Sequence, residues 1–117
     1  MQADDIKALS DVRLGHALEC LDTAQKVMEL GDYKCAANRS YYAVFHAMRA
    51  VLVYDRIDAK KHSSIISEFR RLYIKTGVFD KEMSDTMSAN DKSAKELVFD
   101  RQNETAKLSR FFLYFAP

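Results

Sequence analysis

The chain has 117 residues, 48% of them hydrophobic and 30% charged, and a formal net charge of +1. That length makes one domain, residues 1–117, able to bury a core without disulfide or metal staples. The near balance of charge excludes a global field for nucleic acid, so any such binding needs a local patch.

Only three glycines and one proline, the terminal Pro117, occur. So few breakers argue for long helices and against a hairpin-rich sheet. The first predicted helix runs from about Ala3 to Leu30, with Ile6, Leu9, Leu14, Leu18, Leu21 and Met28 as its apolar stripe. Gly31 suits the left-handed position after a helix, and Asp32 is a ready N-cap for the next. The second helix runs from Tyr33 to about Tyr54, with Ala37, Tyr41, Val44, Phe45, Met48 and Leu52 inward. After the polar break DRIDAKKH, a third helix spans Ser63–Lys75, with Ile65, Ile66, Phe69, Leu72 and Tyr73 inward, and Gly77 ends it. Asp80 caps a fourth that carries Met83, Met87, Ala94, Leu97 and Val98, although serines, Asn90 and Asp91 interrupt its middle. The end, ETAKLSRFFLYFAP, is either a short fifth helix or an extension of the fourth. Its FFLYF run is expected to cover part of the core or of a subunit interface. The pattern predicts an all-α bundle of four to five helices.

Cys20 and Cys35 form no CxxC pair and lack the company a zinc site needs. Both fall in helical patterns and read as buried, reduced thiols. The beginning, MQADDIKALS, is acidic and has no signal-like apolar core, and no apolar run reaches membrane-spanning length. The expectation is a cytoplasmic protein without metal or cofactor.

The segment NRSYYAVFHAMRA, residues 38–50, sets basic and phenolic groups in an apolar helix. Seven residues advance a helix by nearly two turns, so Arg39 and His46 share a face, with backbones roughly 10 Å apart along the axis. Tyr42 lies between them and Arg49 follows His46 by one turn. Histidine moves protons near neutral pH, arginine clamps phosphate, and a phenol stacks on a base. Metal-free RNA cleavage uses such groups. The competing reading is a solvated polar face, since an arginine and a histidine at this spacing are a short pattern. A symmetric dimer pairing this helix with its copy would gather two of each group into one basic cleft. Farther on, KKHSS places His62 either to help bind phosphate near a helix N-terminus or in a solvated loop end capped by Ser63 or Ser64.

AANRSYYAVFHAMRAVL, followed by KKHSSIISEFRRLYIKTGVFD, resembles the HEPN domain family, in particular a small prokaryotic branch with an N-R-x-Y-Y-A-x-F-H helix and a later K-K-H. The likeness covers about residues 10–99 and is strongest over 36–82. It implies a four- or five-helix up-and-down bundle that commonly dimerises. Many family members are metal-independent ribonucleases with an R-x4-6-H motif, which Arg39 and His46 match with six residues between them. Members are often toxins neutralised by a small nucleotidyltransferase antitoxin. Others are non-catalytic binding, dimerisation or adaptor modules. Carried over, Arg39 and His46 are the catalytic pair. Beside them, Asn38, Tyr42, Arg49 and His62 are the residues expected to position RNA or a nucleotide. The sequence departs from the pattern at three places. Active members usually carry Asn, Asp or His where Ser40 stands. A tyrosine that one branch modifies with AMP is replaced by Met48. No Asp-Tyr pair follows Arg101.

Overall fold

A computed structural model gives the fold and describes residues 2–88 and 92–111. Its five α-helices are α1 (Ala3–Glu29), α2 (Tyr33–Leu52), α3 (His62–Phe69), α4 (Lys81–Ser88) and α5 (Ala94–Phe111). A 3-10 turn, Val53–Asp55, extends α2, and a π-helical turn, Arg70–Ile74, extends α3. Among the described residues there is no strand.

The α1–α2 hairpin forms where the turn chemistry places it. Gly31 takes φ +83, and the Asp32 side chain accepts a hydrogen bond from the Cys35 amide at 3.1 Å. A Cβ at Gly31 would meet nothing within 4 Å, so replacement there costs backbone strain alone. Gly31→Ala should lower stability by about 1–2 kcal/mol, the cost of the left-handed conformation for a residue with a Cβ. Urea denaturation checks this.

The seam between α1 and α2 corrects the predicted stripe. Leu18 is 47% exposed, and α1 instead buries Ile6, Ser10, Arg13, Ala17 and Ala24. These positions step by four, three, four and seven, a heptad-like seam. Ser10, Ala17 and Ala24 in it are small, α2 answers with Ala36, Ala43, Ala47 and Ala50, all fully buried, and helices that meet through alanine approach closely. Counting large apolar residues therefore missed it. Two polar side chains hold this close contact. Ser10 donates to the Ala50 carbonyl at 2.8 Å, and the Arg13 guanidinium reaches the Arg49 carbonyl at 3.4 Å.

α2 is the central element and buries Val44, Phe45, Met48, Val51 and Leu52 in the main core with Ile65, Phe69, Tyr73, Met83 and Leu108. The predicted inward set of the third helix holds in part: Ile65, Phe69 and Tyr73 are buried, Ile66 and Leu72 half-buried. The single fourth helix expected from the sequence is two. α4 stops at Ser88 and a separate helix begins at Ala94, whose N-terminal Ser93 accepts from the Glu96 amide at 3.2 Å and donates to its carboxylate at 3.0 Å. That capping ends the preceding chain direction and starts α5 afresh. The last helix is thus long, and neither a short piece starting at ETAKL nor a continuation of α4. Asn90, Asp91 and the FFLYF run after Phe111 lie outside the described residues. Phe111 itself packs edge-on against Phe79, with centroids 5.0 Å apart.

α5 runs in the same direction as α2. Val98 packs on Ala36 and Ala37, and Leu108 joins the core farther along. Buried Arg101 clamps the pair, donating to the Ala37 carbonyl at 3.0 Å and reaching the Thr86 carbonyl of α4 at 3.4 Å. Neither cysteine is buried as expected: Cys20 is half-buried and Cys35 exposed, because Cys35 sits in the first turn of α2 outside the seam. Among the described residues, no helix is long and apolar enough to cross a membrane.

Candidate functional site

The site grows from the face of α2 that the seam leaves uncovered. Tyr42, His46 and Arg49 are half-buried along it, and Arg39 stands at its near end. The Arg39 guanidinium lies 5.0 Å from the Tyr42 ring centroid, a cation–π contact, and donates to the Asn38 side chain at 2.8 Å. Tyr42 and His46 follow with ring centroids 6.2 Å apart. Within one chain, Arg39 and His46 are bridged by Tyr42 and do not meet. Arg49 is the α2 arginine whose charge acts on His46.

His62 joins this face from another element. It is the first residue of α3, its ring sits over Phe45 at 4.0 Å between centroids, and its Nδ1 lies 3.4 Å from the Tyr41 hydroxyl. The residue ahead of it, Lys61, is the N-cap, with no side-chain cap bond. That corrects the expected Ser63 or Ser64 cap: the helix begins before either serine. Arg101 supports the arrangement from behind, its guanidinium 5.3 Å from the Tyr41 ring.

Three contributors escaped the sequence reading. His16, on α1, faces His46 with ring centroids 5.7 Å apart in an edge-on pose. Arg13, one turn earlier on α1, forms an ion pair with Asp58 at 2.6 Å. Arg49 shares the same carboxylate oxygen at 3.1 Å. The antiparallel α1–α2 pairing brings these groups together, and their heptad positions were the signal available. Three histidines that are far apart along the chain thus surround one spot.

The electrostatics follow from that crowding. His46 is pushed below its ordinary pKa of 6.5, first by burial, then by His16, Arg49, His62 and Arg13. Its Nδ1 is buried without a hydrogen-bond partner. Asp58 is held below the usual carboxylate range, chiefly by the Arg13 hydrogen bond. The net charge of +1 therefore hides a local concentration of cations around His46. Among the described residues, no three His, Cys, Asp or Glu side chains gather as a metal site requires.

Ser40 does not belong to this face. It is fully buried and its hydroxyl donates to the Ala36 carbonyl of its own helix at 2.8 Å. The position after Arg39 points into the bundle.

The comparisons fit this helical bundle. A family model described as the HEPN domain matches residues 11–107. The chain belongs to the HEPN domain family. It is 37% identical over 67 residues to a Thermotoga maritima protein named "UPF0332 protein", covering 57% of this chain and 51% of that one. It is 31% identical over 77 residues to a Methanocaldococcus jannaschii protein named "Putative toxin MJ0605", covering 66% of this chain and 54% of the relative. A Pyrococcus horikoshii protein, "UPF0332 protein PH1297", is 33% identical over 63 residues, 54% of this chain and 44% of its own. The chain spans about half the length of the curated relatives it matches.

Proposed function

We propose that this HEPN protein is the RNA-cleaving, toxin-like member of a toxin–antitoxin pair. The observation that carries the reading is His46, kept neutral by burial and by the cations around it, on a face lined with arginine. In metal-free cleavage the 2′-hydroxyl attacks its own phosphorus, so one group must take the hydroxyl proton and a cation must offset charge on the phosphoryl oxygens. A neutral His46 suits the first task and later returns the proton to the leaving 5′-oxygen. Arg39 and Arg49 suit the second, while Asn38, Tyr42 and His62 position the sugar and base, Tyr42 by stacking.

Because Tyr42 separates Arg39 from His46 within one chain, a homodimer that apposes two α2 faces supplies the missing approach, with a second copy's Arg39 nearing His46. The toxin reading draws on the relatives named as toxins. A small nucleotidyltransferase is the partner that such a pair calls for.

The test is incubation of purified protein with mixed RNA, with and without chelator, beside His46→Ala. The expected result is cleavage that survives chelation and is lost in the variant. Cleavage abolished by chelator and restored by magnesium would contradict the mechanism. RNA bound but left intact by both proteins would instead establish a non-catalytic binding or adaptor module.

A further inference from the structure

We propose that Arg13 and Arg49 form a phosphate subsite beside His46, and that the Asp58 carboxylate occupies it until a phosphate displaces it. Two guanidiniums from different helices converge on one oxygen, Asp58 Oδ1, at 2.6 and 3.1 Å. Among the described residues, Asp58 is the only carboxylate in ion-pair contact with either. The partners are unequally placed. The Arg13 side chain is 8% exposed, whereas that of Asp58 is 52% exposed. Arg13 belongs to the packed α1–α2 seam and Arg49 to the half-buried face of α2 beside it, while the anion belongs to the surface segment between Asp55 and His62. A fixed cationic socket with a removable anionic plug is the result.

The plug fills the socket incompletely. Arg49 Nε is buried and has no hydrogen-bond partner. Asp58 meets each guanidinium through a single oxygen, while a phosphate carries enough acceptor oxygens to engage Arg13 and both the Nε and Nη groups of Arg49. Arg13 is too buried to stand unpaired, so Asp58 leaves only when another anion arrives.

The location gives the socket a purpose. Arg13 lies one turn from His16 and Arg49 one turn from His46, and these two imidazoles touch. A phosphate held by Arg13 and Arg49 is therefore next to His46 in the same chain, where Arg39 is not. That the phosphate belongs to RNA rests on the proposed function; anion binding itself does not.

Inorganic phosphate is the probe, titrated calorimetrically at constant ionic strength into wild type, Asp58→Asn and Asp58→Asn/Arg49→Gln. Asp58→Asn should bind phosphate about tenfold or more tighter, because the internal competitor has lost its charge. The double variant should lose that gain. Equal affinity in wild type and a folded Asp58→Asn would overturn the proposal. Should Asp58→Asn not fold, the Arg49 Nε–H resonance of wild type keeps it testable. It should shift on phosphate addition, and an unmoved resonance overturns the subsite. A short single-stranded oligoribonucleotide then competes with phosphate at the same resonance if the carrier is RNA. Phosphate binding without that competition would leave the subsite standing and count against the RNA reading.

Discussion

Replacing His46 with alanine should lower the cleavage rate by about 10² to 10⁴, the contribution general acid–base catalysis usually makes. The fold should survive, because the ring is half-buried and its neighbours Tyr42 and Phe45 keep their ring contacts with Tyr41. Stability and rate must be measured on the same variant. A lowered melting point with an unchanged rate would make His46 a packing residue. The pH profile gives a second readout. His46 is depressed below 6.5 and is therefore neutral at pH 7. Activity that needs the neutral base is retained as pH falls past 6.5 and fails only below it, when the ring protonates. Arg49→Gln removes one of the cations responsible, so the acidic limb should move up toward 6.5. An acidic limb above 6.5 in wild type would contradict the assignment.

Much of the fold was legible because its signals are local. Gly31 and Asp32 mark a turn by backbone chemistry that no distant residue can override. The inward face of α2 is legible for a related reason, since its apolar residues are large and recur at helical spacing. The α1 seam was not, because close helix packing rewards alanine, and Ala17 and Ala24 carry no hydrophobic signal strong enough to outweigh Leu18. The start of α5 was written in the sequence as Ser93-Ala-Lys-Glu96, a capping pattern hidden by the apolar residues on either side of the break, whose spacing reads as one helix.

The site divides along the same line. Arg39, Tyr42, His46 and Arg49 share one helix, so periodicity alone aligned them. His16, Arg13 and Asp58 come from elsewhere in the chain and enter only through the packing of α1 on α2 and the path of the segment before α3. Periodicity also set Tyr42 between Arg39 and His46 on their shared face, and the Tyr42 ring contacts both. Ser40 shows the reverse. It departs from the family pattern at a position whose side chain is turned into the core and bonded to its own helix, so its chemistry does not reach the face.

Phe69→Ala should be among the most destabilising single changes. The ring is fully buried and stacks on Tyr73 at 5.3 Å and on Phe79 at 5.7 Å, both nearly parallel. Phe79 in turn meets Phe111 at the end of α5. Deleting such a side chain costs about 3–5 kcal/mol, because the lost burial adds to a cavity the neighbours only partly close. Native stability for a domain of this kind is only about 5–15 kcal/mol, so the loss is a large share of the whole. The melting temperature should fall by about 10 °C or more. Phe99→Ala is the control. Phe99 is 64% exposed, and its removal should change stability by no more than about 0.5 kcal/mol. The effect should extend to the site, since Phe69 anchors the helix that His62 begins and so fixes the imidazole over Phe45. In Phe69→Ala, the His62 ring resonances should move toward those of a solvated histidine before the chain unfolds globally. A loss of less than about 1 kcal/mol in urea denaturation would mean that the aromatic array closes over the cavity, and that α3 is held by Ile65 instead.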